Sequence, residues 1–254
     1  MKVRTLLACS MAVLALAACN KNKNQPEGTA VTNETVTITQ ANPPPGGTWA
    51  DVVNATSAGF MMGNPNANVK LTEIGALTCP HCREFDETGV PELIDKYVKT
   101  GRVAWEFRPY LLNGLDIPAN LIARCNGVKT FFPLARALYK DQPLWIGKIQ
   151  AAPPAQLQQV QNLPPDRQFV EFAKLAGLQE WAAARGVPQA KSEQCLRDQK
   201  TVDQLVQQSA DVANQYPAFQ GTPSFIINGK MYEVTAGGGT VWDQVKAGLN
   251  KALG

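Results

Sequence analysis

Two cysteines three positions apart, placed directly after an apolar run, constrain this chain more than any other feature. Leu71 to Leu77 reads as a buried strand, and Cys79-Pro80-His81-Cys82 opens an amphipathic segment from Phe85 to Val98, predicted as a helix kinked near Gly89 and Pro91. That places Cys79 at a helix N-terminus, where unpaired backbone N–H groups and the positive end of the helix dipole favour the thiolate, the reactive form. Pro80 suits an early helical position because it has no N–H to leave unpaired. A free thiol titrates near about 8.5, and thiols in such settings fall to roughly 3.5–7.5. The difference favours the reduced pair by about 1.4–7 kcal/mol, or roughly 30–150 mV in the oxidising direction. His81, between the two cysteines, adds hydrogen bonding or positive charge to the thiolate and moves the expectation toward the oxidising end.

Other uses of C-x-x-C meet the rest of the chain poorly. A c-type haem needs His directly after the second cysteine, where this sequence has Arg83. Zinc wants a second C-x-x-C or a Cys/His pair, and His81 is the one histidine in 254 residues. A Cu(I) site on the two thiolates and a short structural disulfide stay open. No cofactor or metal is expected. The charge balance, 24 basic against 21 acidic residues without a dense basic block in the body of the chain, gives no nucleic-acid footprint. A 44% hydrophobic content is enough for a buried core.

The N-terminus reads as an export segment. Lys2 and Arg4 precede an apolar run from Leu6 to Ala18, too short to span a bilayer of roughly 30 Å and right for a signal sequence, so 1–18 is taken as signal peptide. Leu16-Ala17-Ala18-Cys19 resembles the bacterial lipoprotein box, which implies cleavage before Cys19 and a lipid on its thiol. Residues 19–48, rich in Asn, Thr, Pro and Gly, read as a flexible linker, with a short strand possible at Val31 to Thr39. With Cys9 removed and Cys19 lipidated, Cys79, Cys82, Cys125 and Cys195 remain. Four cysteines allow three connectivities; the C-x-x-C leaves Cys125 with Cys195 as the second pair, against the alternative of two buried free thiols.

Further along, Gly221-Thr222-Pro223-Ser224-Phe225-Ile226-Ile227-Asn228-Gly229 predicts a strand over Phe225 to Ile227, a type I′ turn at Asn228-Gly229 and a return over Lys230 to Tyr232, with a last helix from about Thr240 to Leu253. Cys79-Pro80-His81-Cys82 after a buried strand, together with this segment, resembles the DsbA family of thioredoxin-fold disulfide oxidoreductases. The resemblance covers residues 49–254 and implies an α/β, thioredoxin-like fold with an inserted all-helical subdomain. It implies that Thr222-Pro223 is cis, faces the C-x-x-C and binds substrate. Carried over by position, Glu73 matches the buried acid beneath the active site and Asp86 an acidic position on the first helix, both moving the proton of Cys82.

Val103 to Arg108 reads as another strand, and apolar residues then recur at helical spacing from about Asp116 to Gln215, within an insertion set at about 111–215. Leu115-Asp116-Ile117-Pro118-Ala119, Ala123-Arg124-Cys125 and Gln142-Pro143-Leu144-Trp145 resemble the branch common in alpha-proteobacteria, where a second disulfide in the helical region is expected. Phe131, Phe132, Trp145 and Trp181 are assigned to the core, and Gly237-Gly238-Gly239-Thr240 to a turn.

The resemblance implies a monomeric protein disulfide oxidoreductase of the bacterial cell envelope, anchored by lipid in the periplasm. It would donate disulfides to exported proteins with free thiols and be reoxidised by a DsbB-like, quinone-linked membrane partner. Thr222, where the familiar oxidase has Val, keeps a disulfide reductase or isomerase of the same fold in view. A redox-inert or Cu(I)-binding lipoprotein is the alternative from another class.

Overall fold

The computed structural model describes residues 42–254. The expectations placed on the signal segment, Cys19, the strand at Val31 to Thr39 and most of the linker lie outside the described residues.

After a 3-10 turn at Trp49–Asp51 come strands β1 (Val53–Ala55), β2 (Phe60–Met62) and β3 (Val69–Gly75), then helix α1 (Pro80–Thr88). The kink expected near Gly89 and Pro91 is a change of helix. Gly89 caps α1, a short turn α2 (Val90–Glu92) follows, and Leu93–Val98 winds as a π-helix before β4 (Val103–Pro109). Next come α3 (Asp116–Arg124), a 3-10 turn at Val128–Thr130, α4 (Phe131–Lys140), α5 (Gln142–Ala151), α6 (Pro154–Gln161), α7 (Pro165–Leu175), α8 (Leu178–Ala183), α9 (Gln189–Leu196) and α10 (Gln199–Gln215). The chain ends with β5 (Ser224–Ile227), β6 (Lys230–Tyr232) and α11 (Val241–Leu253).

One mixed sheet has the order β1-β2-β4-β3-β5-β6. β3 runs parallel to β4 through the α1 crossover and antiparallel to β5, with Glu73 opposite Phe107 on one side and Phe225 on the other. Central position explains the composition of β3. Leu71 and Ile74 are fully buried on opposite faces, as a strand covered by helices on both sides requires. Ile74 joins Ile226 and Val212 of α10, while Leu71, Phe85 of α1, Phe225, Trp242 of α11 and the insertion helices share the main core. Phe131, Phe132 and Trp145 are in that core as expected, and half-buried Trp181 packs at its edge beneath the Arg185 guanidinium.

The hairpin has the predicted turn, with φ of 50° at Asn228 and 80° at Gly229. Asn228 is further held by Lys70, whose backbone N–H donates to Asn228 Oδ1 at 2.8 Å. Thr240 caps α11 in a reciprocal box with Asp243, so the glycine run before it is a turn feeding that cap. β1 and β2 were not expected. Each is three residues long, too short for an alternating pattern to show, and they extend the sheet through antiparallel pairing with β4.

Cys125, at the end of α3, and Cys195 in α9 form a disulfide that closes a separation of 70 residues, with Cα atoms 5.7 Å apart.

Candidate active site

Cys79 is the N-cap of α1. Its Sγ accepts a hydrogen bond from the Cys82 backbone N–H at 3.4 Å, and Pro80 occupies the first helical position. Cys82, one turn into the helix, is fully buried, and both thiols are free.

The two sulfurs have opposite surroundings. The Cys79 thiol is pulled down to about 5 by donation from the Cys82 thiol, then by the Thr222 hydroxyl and the backbone N–H groups of Cys82 and His81, all outweighing burial. Burial pushes the Cys82 thiol well up, reinforced by the neighbouring Cys79 and the charge of Glu73. One sulfur is therefore built to carry charge at neutral pH and the other to carry a proton.

Thr222 and Pro223 lie against this pair through a cis peptide bond. The Cys79 thiol donates to the Thr222 carbonyl at 3.2 Å. Thr222 Oγ1 is buried and has no partner in this state among the described residues, so its O–H is free to donate once Cys79 ionises. Gly221, Thr222 and Pro223, with Met231, Tyr232 and Val234, line a groove of about 630 Å³ between the Thr222-Pro223 loop and the edge strand β6.

His81 differs from the reading that aimed it at the thiolate. Its imidazole is exposed and lies 3.5 Å from Glu84, and the backbone N–H of His81, not the ring, acts on Cys79. Helical geometry explains this: a side chain at the second helical position projects outward while the first-turn N–H groups converge on the cap.

Glu73 is buried under the pair. Burial holds its carboxyl well above the usual range, with a further push from the charge of Asp86, while a hydrogen bond from Trp105 Nε1 at 3.2 Å opposes both. The residue that lets the strand pass here is Gly75: a Cβ at that position would fall 2.6 Å from the Phe107 ring and 3.0 Å from Glu73 Oε1. Asp86 is buried on α1, and burial raises it to about 6 although Arg136 of α4 pairs with it at 3.1 Å. It lines a small cavity with Glu87, Arg136 and Lys140. Cys79, Cys82, Glu73, Asp86, Thr222 and Pro223 are thus brought together, whereas Cys125 and Cys195 stand apart in the insertion.

Sequence reading missed several members of this neighbourhood. Trp105 supplies the donor to Glu73, and three insertion side chains, Asp116, Tyr139 and Gln142, reach the loop that carries Cys79. Polar residues at buried helical positions were the available signal.

The thioredoxin family model matches residues 55–245 of this chain. A protein-disulfide isomerase of known structure from Novosphingobium aromaticivorans is 30% identical, with a TM-score of 0.69 over 75% of this chain and 96% of that one. Alpha-DsbA1 of Wolbachia pipientis shares the fold at a TM-score of 0.58 and 23% identity over 76% of this chain and 89% of that one. A curated protein of Rickettsia felis, named as a putative protein-disulfide oxidoreductase, is 29% identical over 76% of this chain and 60% of its own length. The chain thus spans about three fifths of that relative. With the cysteine pair at the head of α1, the facing Thr222-Pro223 and the matched span between β1 and α11, the chain belongs to the DsbA-like family of thioredoxin-fold proteins.

Proposed function

We propose that the chain is a thiol:disulfide oxidoreductase that donates disulfides to exported proteins. The observation that carries this reading is the asymmetry of the pair, a Cys79 thiol drawn down to about 5 beside a Cys82 thiol pushed well up. A dithiol whose outer sulfur is stable as thiolate gives up its disulfide readily, because that sulfur is a good leaving group.

In the donating direction, a substrate thiolate attacks Cys79 Sγ of the oxidised pair. The S–S electron pair goes to Cys82, which takes a proton, with the raised carboxyl of Glu73 as its source. A second substrate thiolate then attacks the substrate sulfur of the mixed disulfide, forming the substrate disulfide and expelling Cys79 as thiolate. Asp86 is proposed to pass protons between Glu73 and the cavity at Arg136. Thr222-Pro223 and the groove beside β6 receive an extended substrate backbone by strand addition.

Reoxidation is assigned to a DsbB-like membrane partner, and Cys19 to a lipid anchor that keeps a monomeric protein in the periplasm beside it. These parts rest on the resemblance at Cys79–Cys82 and at the lipoprotein box. Among the described residues no helix is long and apolar enough to cross a membrane.

The test is the reduction potential of the Cys79–Cys82 pair, equilibrated with glutathione and read by thiol alkylation. A value near about −120 mV fits a disulfide donor, one near about −180 mV an isomerase, as the Novosphingobium relative is named, and one near about −270 mV a reductase. A pair that never equilibrates in the folded protein overturns the catalytic reading. The Cu(I) alternative predicts instead that Cys79→Ser abolishes metal uptake without changing thiol oxidation.

A further inference from the structure

The segment Ala76 to Cys79, which joins β3 to α1 and sets where the Cys79 sulfur lies, is held at every residue by a side chain of the helical insertion. Tyr139 Oη of α4 donates to the Ala76 carbonyl at 3.2 Å. Gln142 Nε2 of α5 donates to the Leu77 carbonyl at 2.8 Å and to the Cys79 carbonyl at 3.0 Å. Asp116, at the start of α3, accepts from the Thr78 backbone N–H through Oδ1 and from the Thr78 hydroxyl through Oδ2, both at 2.9 Å. Asp116 Oδ2 also accepts from the backbone N–H groups of Leu112 and Asn113, and Asn113 Nδ2 donates to Thr78 Oγ1 at 2.9 Å.

Asp116 is wholly buried, and Tyr139 and Gln142 are each 3% exposed. Water is therefore not at hand to replace any of these bonds. Without Gln142 the Leu77 carbonyl would be a buried acceptor without a match, while the Ala76 and Cys79 carbonyls would keep only the bonds from the Cys79 and Arg83 backbone N–H groups. Nothing in packing alone asks for a carboxylate and a carboxamide at the foot of three helices. Tyr139 Oη, Gln142 Nε2 and Asp116 Oδ1 all bond within one four-residue segment, and Asp116 Oδ2 ties that segment to the turn at Leu112 and Asn113.

From this geometry we infer that Asp116, Tyr139 and Gln142 are positioning residues through which the insertion sets the reduction potential of the Cys79–Cys82 pair. The inference rests on the oxidoreductase reading and adds the device that tunes it. The direction follows from which redox form needs the clamp. In the oxidised form the Cys79–Cys82 bond itself ties the segment to α1. In the reduced form Cys79 must be kept in line with the Cys82 N–H by other means, and the carbonyls of Leu77 and Cys79 must be kept turned away from a negative sulfur. Bonds from Gln142 do both, by anchoring those carbonyl oxygens toward α5. Losing the clamp therefore costs the reduced thiolate form more than the oxidised form, and the pair becomes less oxidising.

Gln142→Leu and Tyr139→Phe in the full-length protein test this. Tyr139→Phe deletes one hydroxyl and keeps the ring in the core, so it remains informative should Gln142→Leu fold poorly. The equilibrium constant with glutathione is expected to shift at least tenfold toward a more reducing pair in Gln142→Leu, equivalent to about 30 mV, and severalfold in Tyr139→Phe. The pH at which Cys79 becomes half-alkylatable should rise in step. A merely structural role would lower the unfolding temperatures of oxidised and reduced protein alike and leave both readouts at wild-type values, which would overturn the inference. Alkylation profiles need no redox turnover. A wild-type pair that ignores glutathione thus sinks the functional reading by itself, while unchanged profiles in both variants sink the positioning role.

Discussion

The molecule carries two cysteine pairs, and they differ in almost every physical respect. Cys79 and Cys82 sit on one helical turn, face the Thr222-Pro223 loop, and are drawn apart in acidity by their surroundings. Cys125 and Cys195 join α3 to α9 across 70 residues of chain, and each stands at the C-terminal end of its helix, the end that does not favour a thiolate. The first pair closes too short a loop to restrict the unfolded chain much, so its bond energy is free to be tuned. The second restricts a long loop and contributes stability through the unfolded state. The same bond is thus a reagent in one place and a brace in the other, according to what lies around it.

The sharpest way to break this contrast is to remove one sulfur from each pair. Cys79→Ser should lower the rate of disulfide transfer to a reduced peptide by at least about a thousandfold, as loss of a reacting sulfur does. Replacing both Cys125 and Cys195 by Ser should leave that rate within about twofold. Comparable losses in both variants would mean that the long-range pair takes part in the chemistry.

The brace should then show in stability. The Cys125→Ser, Cys195→Ser double variant is expected to lose about 2–5 kcal/mol in denaturant unfolding, with the potential of the other pair unchanged.

Acidity provides a third contrast. The Cys79 thiol titrates at about 5 in the folded reduced protein, far below its ordinary value of 9.0. A depressed value stabilises the folded state above the ordinary pKa, and the effect is lost as pH falls toward the folded one. The stability of reduced relative to oxidised protein should therefore rise from pH 5 upward by about 1.4 kcal/mol per unit, whereas the braced pair, which does not titrate, adds no slope. Paired unfolding curves at pH 5, 6 and 7 check this, and parallel curves would contradict the site electrostatics.

Glu73→Gln should slow the step in which Cys82 exchanges its proton by roughly a hundredfold, and should flatten the pH dependence of that step in single-turnover kinetics. The smallest effect belongs to Asp86. Its carboxyl is raised to about 6 from 3.8, so it favours folding fully below about pH 4, and the advantage disappears as pH rises through 6. Asp86→Asn should remove that slope, a change of roughly 1 kcal/mol once the partial exposure of Arg136 is allowed for.

What could be read from the sequence is what repeats locally. The apolar run before Cys79, the proline at the next position and the Asn228-Gly229 turn each announce an element through neighbours in the chain, and those elements stand where they were expected. β1 and β2 were invisible because three residues carry no period. The π-helical turn after Pro91 was invisible because Gly89 and Pro91 mark a break without saying how the chain resumes. At the site, the sulfurs declare themselves by type and spacing, and the acids Glu73 and Asp86 only through the family resemblance. The orientation of the His81 ring does not, since it depends on which side of α1 solvent occupies. Asp116, Tyr139 and Gln142 stand out only as polar residues in apolar helical stretches, and their role was hidden for a related reason: their partners lie 38 to 65 residues away, and nothing in the periodicity of α3, α4 or α5 points at a loop so remote.

The order of strands in the sheet also bears on how the molecule assembles. β3 carries the approach to Cys79, but one of its two neighbours, β5, lies beyond the whole insertion. Contacts so distant along the chain form slowly. Cys125 and Cys195, by contrast, both belong to the continuous helical stretch and can meet before the last hairpin docks. The topology thus separates two contributions to the site: the helical stretch that carries Cys125 and Cys195 is complete before the last eighth of the chain, and that last part brings Thr222 to a Cys79 already capped by the N–H groups of its own helix.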